Sequence, residues 1–390
     1  MNQSPLFLCS IVSEFDFSSD EYQALYAVSD ATVFQQPSWL EKLQTHACST
    51  ALGKVQTLLI REQDTQQLIL ALPLLLRRKG PLRLLEFLNM GFVDYAATIY
   101  NAAFLDELIR QSGALSAEID SILPSHDLLW IKHIHATDQI LLHLFPKAHQ
   151  LNANFDSHRT ELTGSFEDWR KKTMSKKRRG NLRRARQKLL EEGSLRSQLV
   201  SNPDEIMRAF SSLRAFRHLR FSENRRTEHM QNQSVFEFYL HLAQQGARDG
   251  STRTYQLLLD DVCIAVAFGL CHEEEYIYLL PGADFKRYGR HSPGVILLED
   301  MICDLMKDGF GGFDFSIGDE AYKMQFGTYP VAIQTLARPQ TLTGHGVLRS
   351  IKFLKNYQQK RSLQQPDGKP AMGGGTIRTI LASILGPEKG

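Results

Sequence analysis

"TYQLLLDDVCIAVAFGLCHEEEYIYLLPGAD", residues 254–284, decides how the chain is read. A mostly apolar run from Tyr255 to Leu259, interrupted by Gln256, stops at Asp260 and Asp261, resumes at Val262, stops again at Glu273 to Glu275 and restarts at Tyr276. Apolar runs of strand length separated by short polar turns predict an antiparallel meander of three strands. The first half carries a weaker echo: Val55 to Ile60, the polar turn "REQDTQQ" and then "LILALPLLLRR", residues 68–78. Each unit follows a helical pattern, "PSWLEKLQTHA" in the first half and "SVFEFYLHLAQQGARDG" in the second. The expected fold is α/β (α+β) with two related domains in tandem, each a mixed, largely antiparallel sheet flanked by helices. The rival reading is that two ordinary hairpins resemble each other by chance.

With 390 residues the chain exceeds the usual ~100–200 residues of one domain, so two domains and sizeable cores are expected. A formal charge of +2 and 23% charged residues describe an ordinary globular protein rather than a disordered or nucleic-acid-saturated one. Cys9, Cys48, Cys263, Cys271 and Cys303 show no C-x-x-C pair and no spacing with histidine that suits zinc, so no metal is expected and the thiols are read as reduced and mostly buried. The opening "MNQSPLFLCSIVSEF" has no basic leader, and no stretch reaches the ~18–20 apolar residues of a spanning helix, which sets a cytoplasmic expectation. The expected boundaries are 1–158, 159–338 and 339–390.

"SFEDWRKKTMSKKRRGNLRRARQKLLEEGSL" opens the second part, with Ser165 and Asp168 spaced as a helix cap. Within this basic segment, 165–192, a helix from about Lys176 sets Arg179, Arg183 and Arg186 on one face and Leu182, Ala185 and Leu189 on another. Such a face is either solvated or turned to the phosphates of an anionic ligand. Arg214, Arg217, His218 and Arg220 add cations on a second helical segment. After Pro339 come a basic helix in "GVLRSIKFLKNYQQKRSL", a linker "QQPDGKPAMGGG" and a short apolar helix "TIRTILASILG". That tail is expected to dock on its own domain or a partner, with peripheral membrane contact as the lesser option.

The meander's third strand runs into a loop holding Gly282, Asp284, Tyr288, Gly289 and His291. Ser292 and Pro293 then open a helix with an apolar stripe of Val295, Leu298, Ile302 and Leu305. The unpaired N–H groups of such a helix start suit a phosphate, and Lys286, Arg287 and Arg290 lie beside it. The loop is neither a Walker loop nor G-x-G-x-x-G, which removes support for nucleotide hydrolysis and dinucleotide binding. "FDFSIGDEAYKMQFG", residues 313–327, follows: a strand that breaks at Gly318 and delivers Asp319, Glu320, Tyr322 and Lys323 together.

"YLLPGADFKRYGRHSPGVILLEDMI" followed by "FDFSIGDEAYKMQFG" resembles the CelD-type acyltransferases, a branch of the GNAT fold related in plan to the FemAB peptidyltransferases. Softer similarity extends over roughly residues 30–335 through "VFQQPSWLEKL", "LILALPLLLRRKGPLRLLEFLNMGFVDYAATI" and "SKKRRGNLRRARQKLLEEG". The resemblance implies an acyl donor whose pantetheine arm lies along a splayed strand at Tyr278 and Leu279. Its pyrophosphate would meet the loop and helix start at Arg287, Gly289, Arg290, Ser292 and Gly294. "RYGRHSPG" matches the family's pyrophosphate loop only loosely. Acyl-CoA is therefore the expected co-substrate, with acetyl-CoA, another acyl thioester or an aminoacyl donor left open.

Acyl transfer needs a base for the attacking group and donors for the carbonyl oxygen and leaving thiolate. Glu320, Asp284 or His291 are the candidate bases, Tyr322 the proton donor to the leaving group and Lys323 the electrostatic support. The bland alternatives are a core tyrosine, a lysine paired with Asp314 or Glu320, an aspartate capping the turn at Asp319 and a surface histidine. Asp94 and Tyr95, with Arg179, Arg183 and Arg220, are the candidate acceptor contacts, in a cleft shared by the domains. Trp39 is read as core. The resemblance points to an amino or hydroxyl group of a sugar or polysaccharide precursor as acceptor, with exopolysaccharide-synthesis proteins as partners. The rivals are aminoacyl transfer from charged tRNA and a non-catalytic accessory role in exopolysaccharide biosynthesis.

Overall fold

The computed structural model describes residues 6–50, 52–136, 138–223 and 229–363. The linker and apolar segment expected after residue 363 lie outside the described residues. The strands are β1 (Phe7–Val12), β2 (Lys54–Glu62), β3 (Leu68–Lys79), β4 (Leu82–Phe87), β5 (Ile99–Tyr100), β6 (Leu128–His135), β7 (His149–Glu161), β8 (Leu195–Val200), β9 (Thr252–Leu259), β10 (Val262–His272), β11 (Glu275–Ala283), β12 (Gly312–Ile317) and β13 (Tyr329–Pro339). The helices are α1 (Asp20–Ala27), α2 (Pro37–Ser49), α3 (Leu105–Arg110), α4 (Ser112–Ile122), α5 (Ile140–Leu144), α6 (Phe166–Thr173), α7 (Lys176–Glu192), α8 (Pro203–Glu223), α9 (Gln233–Asp249), α10 (Phe285–Tyr288), α11 (Pro293–Lys307) and α12 (Leu342–Leu363).

The chain divides into two compact units, one of residues 1–155 with 332–390, the other of residues 156–331. In the first, strands run in the order β1-β2-β3-β4-β6-β13, with β5 beside β3. All these pairs are antiparallel except β4 with β6, which the α3–α4 crossover joins. Trp39 is buried, as its apolar helix setting predicts, and so are the central residues of β3. α12 packs Leu348 and Ile351 against Leu82, Leu84, Leu128, Trp130 and Ala337, which explains why residues 332–363 group with this unit.

In the second unit the order is β12-β11-β10-β9-β8, and residues 157–161 of β7 pair with β12. β8 to β11 form the antiparallel meander, and α11 crosses over to bring β12 parallel to β11. Ile296, Leu297, Met301, Ile302 and Leu305 of α11 are buried with Tyr255, Leu257, Tyr276 and Phe313 of the sheet. The basic segment 165–192 is two helices rather than one: Ser165 caps α6 through the Asp168 N–H, and Ser175 caps α7 through the Arg178 N–H, 3.2 Å each. Leu182 and Leu189 anchor α7 in the core. All five cysteines are free, but only Cys271 is fully buried, so the expectation of mostly buried thiols does not hold.

Candidate active site

The site begins with a misfit between strands. β11 pairs β10 through Leu280↔Phe268 and then Tyr278↔Gly269, so Leu279 is an extra residue that bulges out of the ladder. A Cβ on Gly269 would stand 2.3 Å from the Ile277 carbonyl and 2.4 Å from the Tyr276 ring, so only glycine allows β10 to lie this close to the strand at the bulge. On its other edge β11 pairs β12 only from Glu275↔Gly312 to Ile277↔Asp314. Beyond that level β11 follows β10 to Ala283 while β12 continues to Ile317, and the two parallel strands splay.

β12 is bent at the same level. Ser316 has φ +61°, and its N–H donates to the Asp314 carboxylate at 2.6 Å, while the register with β7 slips between Asp314 and Ile317. Gly318, at φ +113°, then turns the chain out of the strand, where a Cβ would meet the Glu320 carboxylate at 2.8 Å. Two clamps fix this exit. The buried Lys323 ammonium donates to the carbonyls of Ser316 (3.2 Å), Ile317 (2.9 Å) and Gly318 (2.9 Å) and pairs with Glu320 at 2.9 Å. Asp319 accepts from the Asp156 N–H at 3.1 Å and meets His158 Nε2 at 3.0 Å.

The turn therefore presents Glu320 half-exposed and Tyr322 partly buried, its ring edge against Phe315. Burial holds the phenols of Tyr322 and Tyr278 above the ordinary tyrosine range; each also feels the Glu320 carboxylate, with Arg220 opposing. Arg220 lies over the Phe285 ring, and Arg217 donates to the Pro281 carbonyl at 3.2 Å. Tyr278, Glu320, Tyr322 and Arg220 thus share one electrostatic neighbourhood, a grouping the sequence could not fix because α8 and β12 lie far apart in the chain.

The other predicted residues fall at the α11 end or elsewhere. Asp284 caps α10, accepting from the Arg287 N–H at 3.0 Å, and Arg287 stacks over Tyr288. His291 is buried rather than a surface loop residue: its Nε2 accepts from Arg290 Nε at 2.8 Å and lies 3.5 Å from Glu192. Ser292, at φ +49°, precedes α11 without a side-chain cap bond, and Gly294 packs against Ala283. Arg179 donates to the carbonyls of Lys171 and Met174 and so ties α6 to α7, while Arg183 is exposed. Asp94 and Tyr95 are buried in the first unit, Tyr95 with its carbonyl on Gln35 Nε2 at 2.9 Å. Sequence reading missed His158 and the buried Glu299, which Arg170 meets at 2.5 Å. Neither stands in a recognisable motif.

Among the described residues no cluster of potential ligands could hold a metal ion. The features that could hold an acyl donor are the splay between β11 and β12, the N–H groups at the start of α11 and the polar turn that closes β12. Residues 176–324 match the family model described as an acetyltransferase (GNAT) domain. Among solved structures the chain is similar to FemX, at 11% identity over 83% of this chain and 96% of that one, TM-score 0.55. It is also similar to L-PGS from Bacillus licheniformis, at 12% identity over 84% of this chain and 94% of that one, TM-score 0.51. A conserved protein of unknown function from Bacteroides thetaiotaomicron matches at 12% identity over 82% of this chain and 96% of that one, TM-score 0.51. At these identities the likeness is one of fold. No curated protein matches the sequence. The matched span lies within residues 156–331, so it is the second unit that is similar to an acetyltransferase (GNAT) domain.

Proposed function

We propose that the second unit transfers an acyl group from a thioester donor, acyl-CoA or a close equivalent, to an amino or hydroxyl group of a sugar or polysaccharide precursor. The observation that carries the donor is the splay of β11 from β12 beyond Ile277 and Asp314. Strand edges that part company leave N–H and C=O groups in need of partners, and an amide-bearing pantetheine arm supplies them as an added strand would. The N–H groups opening α11 then suit the pyrophosphate, with Arg287 and Arg290 alongside.

At the far end Glu320 is the accessible carboxylate for the acceptor's proton, directly or through a water. The acceptor nitrogen or oxygen bonds to the thioester carbon, the carbon–sulfur bond breaks, and the thiolate needs a proton. Tyr322 keeps its O–H and is unsuited to act as base; its part is to donate a hydrogen bond to the departing sulfur, which takes its proton from the acid that Glu320 becomes or from water, because burial weakens the phenol as an acid. Lys323 uses its protons on strand carbonyls and on Glu320, so its part is to hold the carboxylate in place. The sugar acceptor rests on the resemblance to CelD-type proteins.

Calorimetric titration with free CoA and with short and long acyl-CoA thioesters at two salt concentrations tests the donor. Micromolar binding with a chain-length preference, little affected by salt, supports the reading; no binding to any thioester sinks it. Aminoacyl transfer from charged tRNA is favoured by one observation, the exposed Lys176, Lys177, Arg183 and Arg184 on α7. Steeply salt-dependent tRNA binding would select it. Cellular function that survives both Glu320→Gln and Tyr322→Phe would select the accessory role.

A further inference from the structure

α12 has two faces, and only one is accounted for. Its inner face, Val347, Leu348, Ile351 and Leu354, packs on the first unit. The start of the helix is fixed: Thr341 Oγ1 donates to Asp127 at 2.8 Å, and a Cβ on Gly344 would stand 1.9 Å from the Asp127 carbonyl. Lys355 Nζ donates to the Asn152 carbonyl at 2.8 Å. The helix is therefore held in one rotation about its axis.

That rotation turns Leu342, Gly346, Arg349, Phe353 and Tyr357 outward as a single stripe, spaced 4, 3, 4 and 4 residues apart. Leu342 is 92% exposed, Phe353 69% and Tyr357 45%, so three large side chains line about 22 Å of helix surface. His345 and Lys352 flank the stripe, and the helix carries five Lys or Arg between Leu342 and Leu363 and no Asp or Glu. Soluble surfaces scatter single apolar residues; aligning them on a purely basic helix face is different.

We propose that the outward face of α12 docks on an anionic lipid surface, Leu342, Phe353 and Tyr357 entering the headgroup region while Arg349 and Lys352 meet lipid phosphates. Apolar side chains that insert and cations that lie beside them are the two contributions such a contact needs, and both are on this stripe. A second copy of the chain is disfavoured, because an isologous contact would bring two basic faces together. An RNA is disfavoured because its affinity rests on many phosphate contacts, and only Arg349 and Lys352 lie along the stripe, whose most exposed apolar side chain, Leu342, has no ring. Among the described residues no helix is long and apolar enough to cross a membrane, so this contact would be peripheral.

The test is flotation of the full-length chain with vesicles of phosphatidylcholine alone and of phosphatidylcholine mixed with phosphatidylglycerol. The chain is expected to float with the mixed vesicles only, and to be released by raised salt. Leu342→Ser with Phe353→Ser, and separately Arg349→Glu with Lys352→Glu, should each lower the bound fraction about tenfold with thermal stability unchanged, since these side chains lie outside the core. No flotation of the parent chain overturns the proposal. So does flotation that survives both double variants, which would move the contact to residues 364–390. RNA binding at this face without vesicle binding overturns it too, as does a dimer in light scattering that Phe353→Ser dissolves.

Discussion

The two units contain the same pair of strands, and only one pair is left open. In the first unit β4 meets β6 in parallel over three positions, Leu84↔Leu128 to Glu86↔Trp130; in the second β11 meets β12 over three, Glu275↔Gly312 to Ile277↔Asp314. In both, the later strand carries a non-glycine residue at positive φ just beyond the paired stretch, His133 at +62° and Ser316 at +61°, and its register with the antiparallel neighbour slips there. The difference lies in the chain that follows the earlier strand. After β4 it turns back into the opening: the Ala96 N–H donates to the His133 carbonyl at 2.9 Å, and β5 pairs with β3 at Leu70 and Ala71, beyond the stretch that β4 covers. Tyr95 packs its ring against His135 at 4.4 Å within this filling. β11 instead continues along β10 past the bulge at Leu279 as far as Ala283, diverging from β12. One strand arrangement is thus filled by its own chain in the first unit and, under the proposed function, left for the acyl donor in the second.

The comparison would break most visibly at Lys323. Lys323→Met would strand three buried carbonyls and leave Glu320 without its partner, an expected loss of about 3–5 kcal/mol in urea-unfolding free energy. Unchanged stability would show that the β12 exit does not depend on the clamp. Next in size, Tyr322→Phe should slow acyl transfer about a hundredfold while leaving donor affinity and stability nearly as they were. A rate within a few-fold of the parent would remove Tyr322 from the chemistry and favour its reading as a packing residue against Phe315.

Much of this is legible in the sequence alone. Asp260-Asp261 and the acidic triplet place the turns of the meander, Ser292-Pro293 places the start of α11, and the break at Gly318 places the polar turn. Three things are not. The Leu279 bulge leaves no compositional mark, since an extra residue in a ladder needs no special side chain. Lys323 reads as electrostatic support or as a partner of Asp314 or Glu320, and the Glu320 pair forms, but its burial and its three carbonyl acceptors involve backbone groups that no side-chain pattern reveals. Asp94 and Tyr95 read as acceptor contacts because they follow a strand at a position that the family resemblance places in a cleft. They are buried because Gln35 and His135, distant in sequence, close over Tyr95.

Smaller effects test the filled side. Gln35→Ala would leave the buried Tyr95 carbonyl without its 2.9 Å donor, an expected cost of about 1–3 kcal/mol. Calorimetry should still give one donor site per chain with the dissociation constant unchanged within a factor of about two. A second site appearing in the variant would mean that the filling alone keeps the first unit from binding, and would sharpen the comparison into a mechanism.

The weakest expected effect is a pH dependence at Asp138, whose carboxylate accepts N–H bonds from Thr98 in the filling and from Ile140 and Leu141. Burial pushes this acid up from 3.8 to about 6, against the pull of those bonds. Between the two values the folded chain holds a proton that the unfolded chain has lost, so stability should fall as pH rises through that window and level off above it. Partial exposure screens the effect to on the order of 1–2 kcal/mol. Asp138→Asn should flatten the slope in urea midpoints measured across the window. A slope that persists in the variant would assign it to another carboxylate and leave Thr98 held by geometry alone.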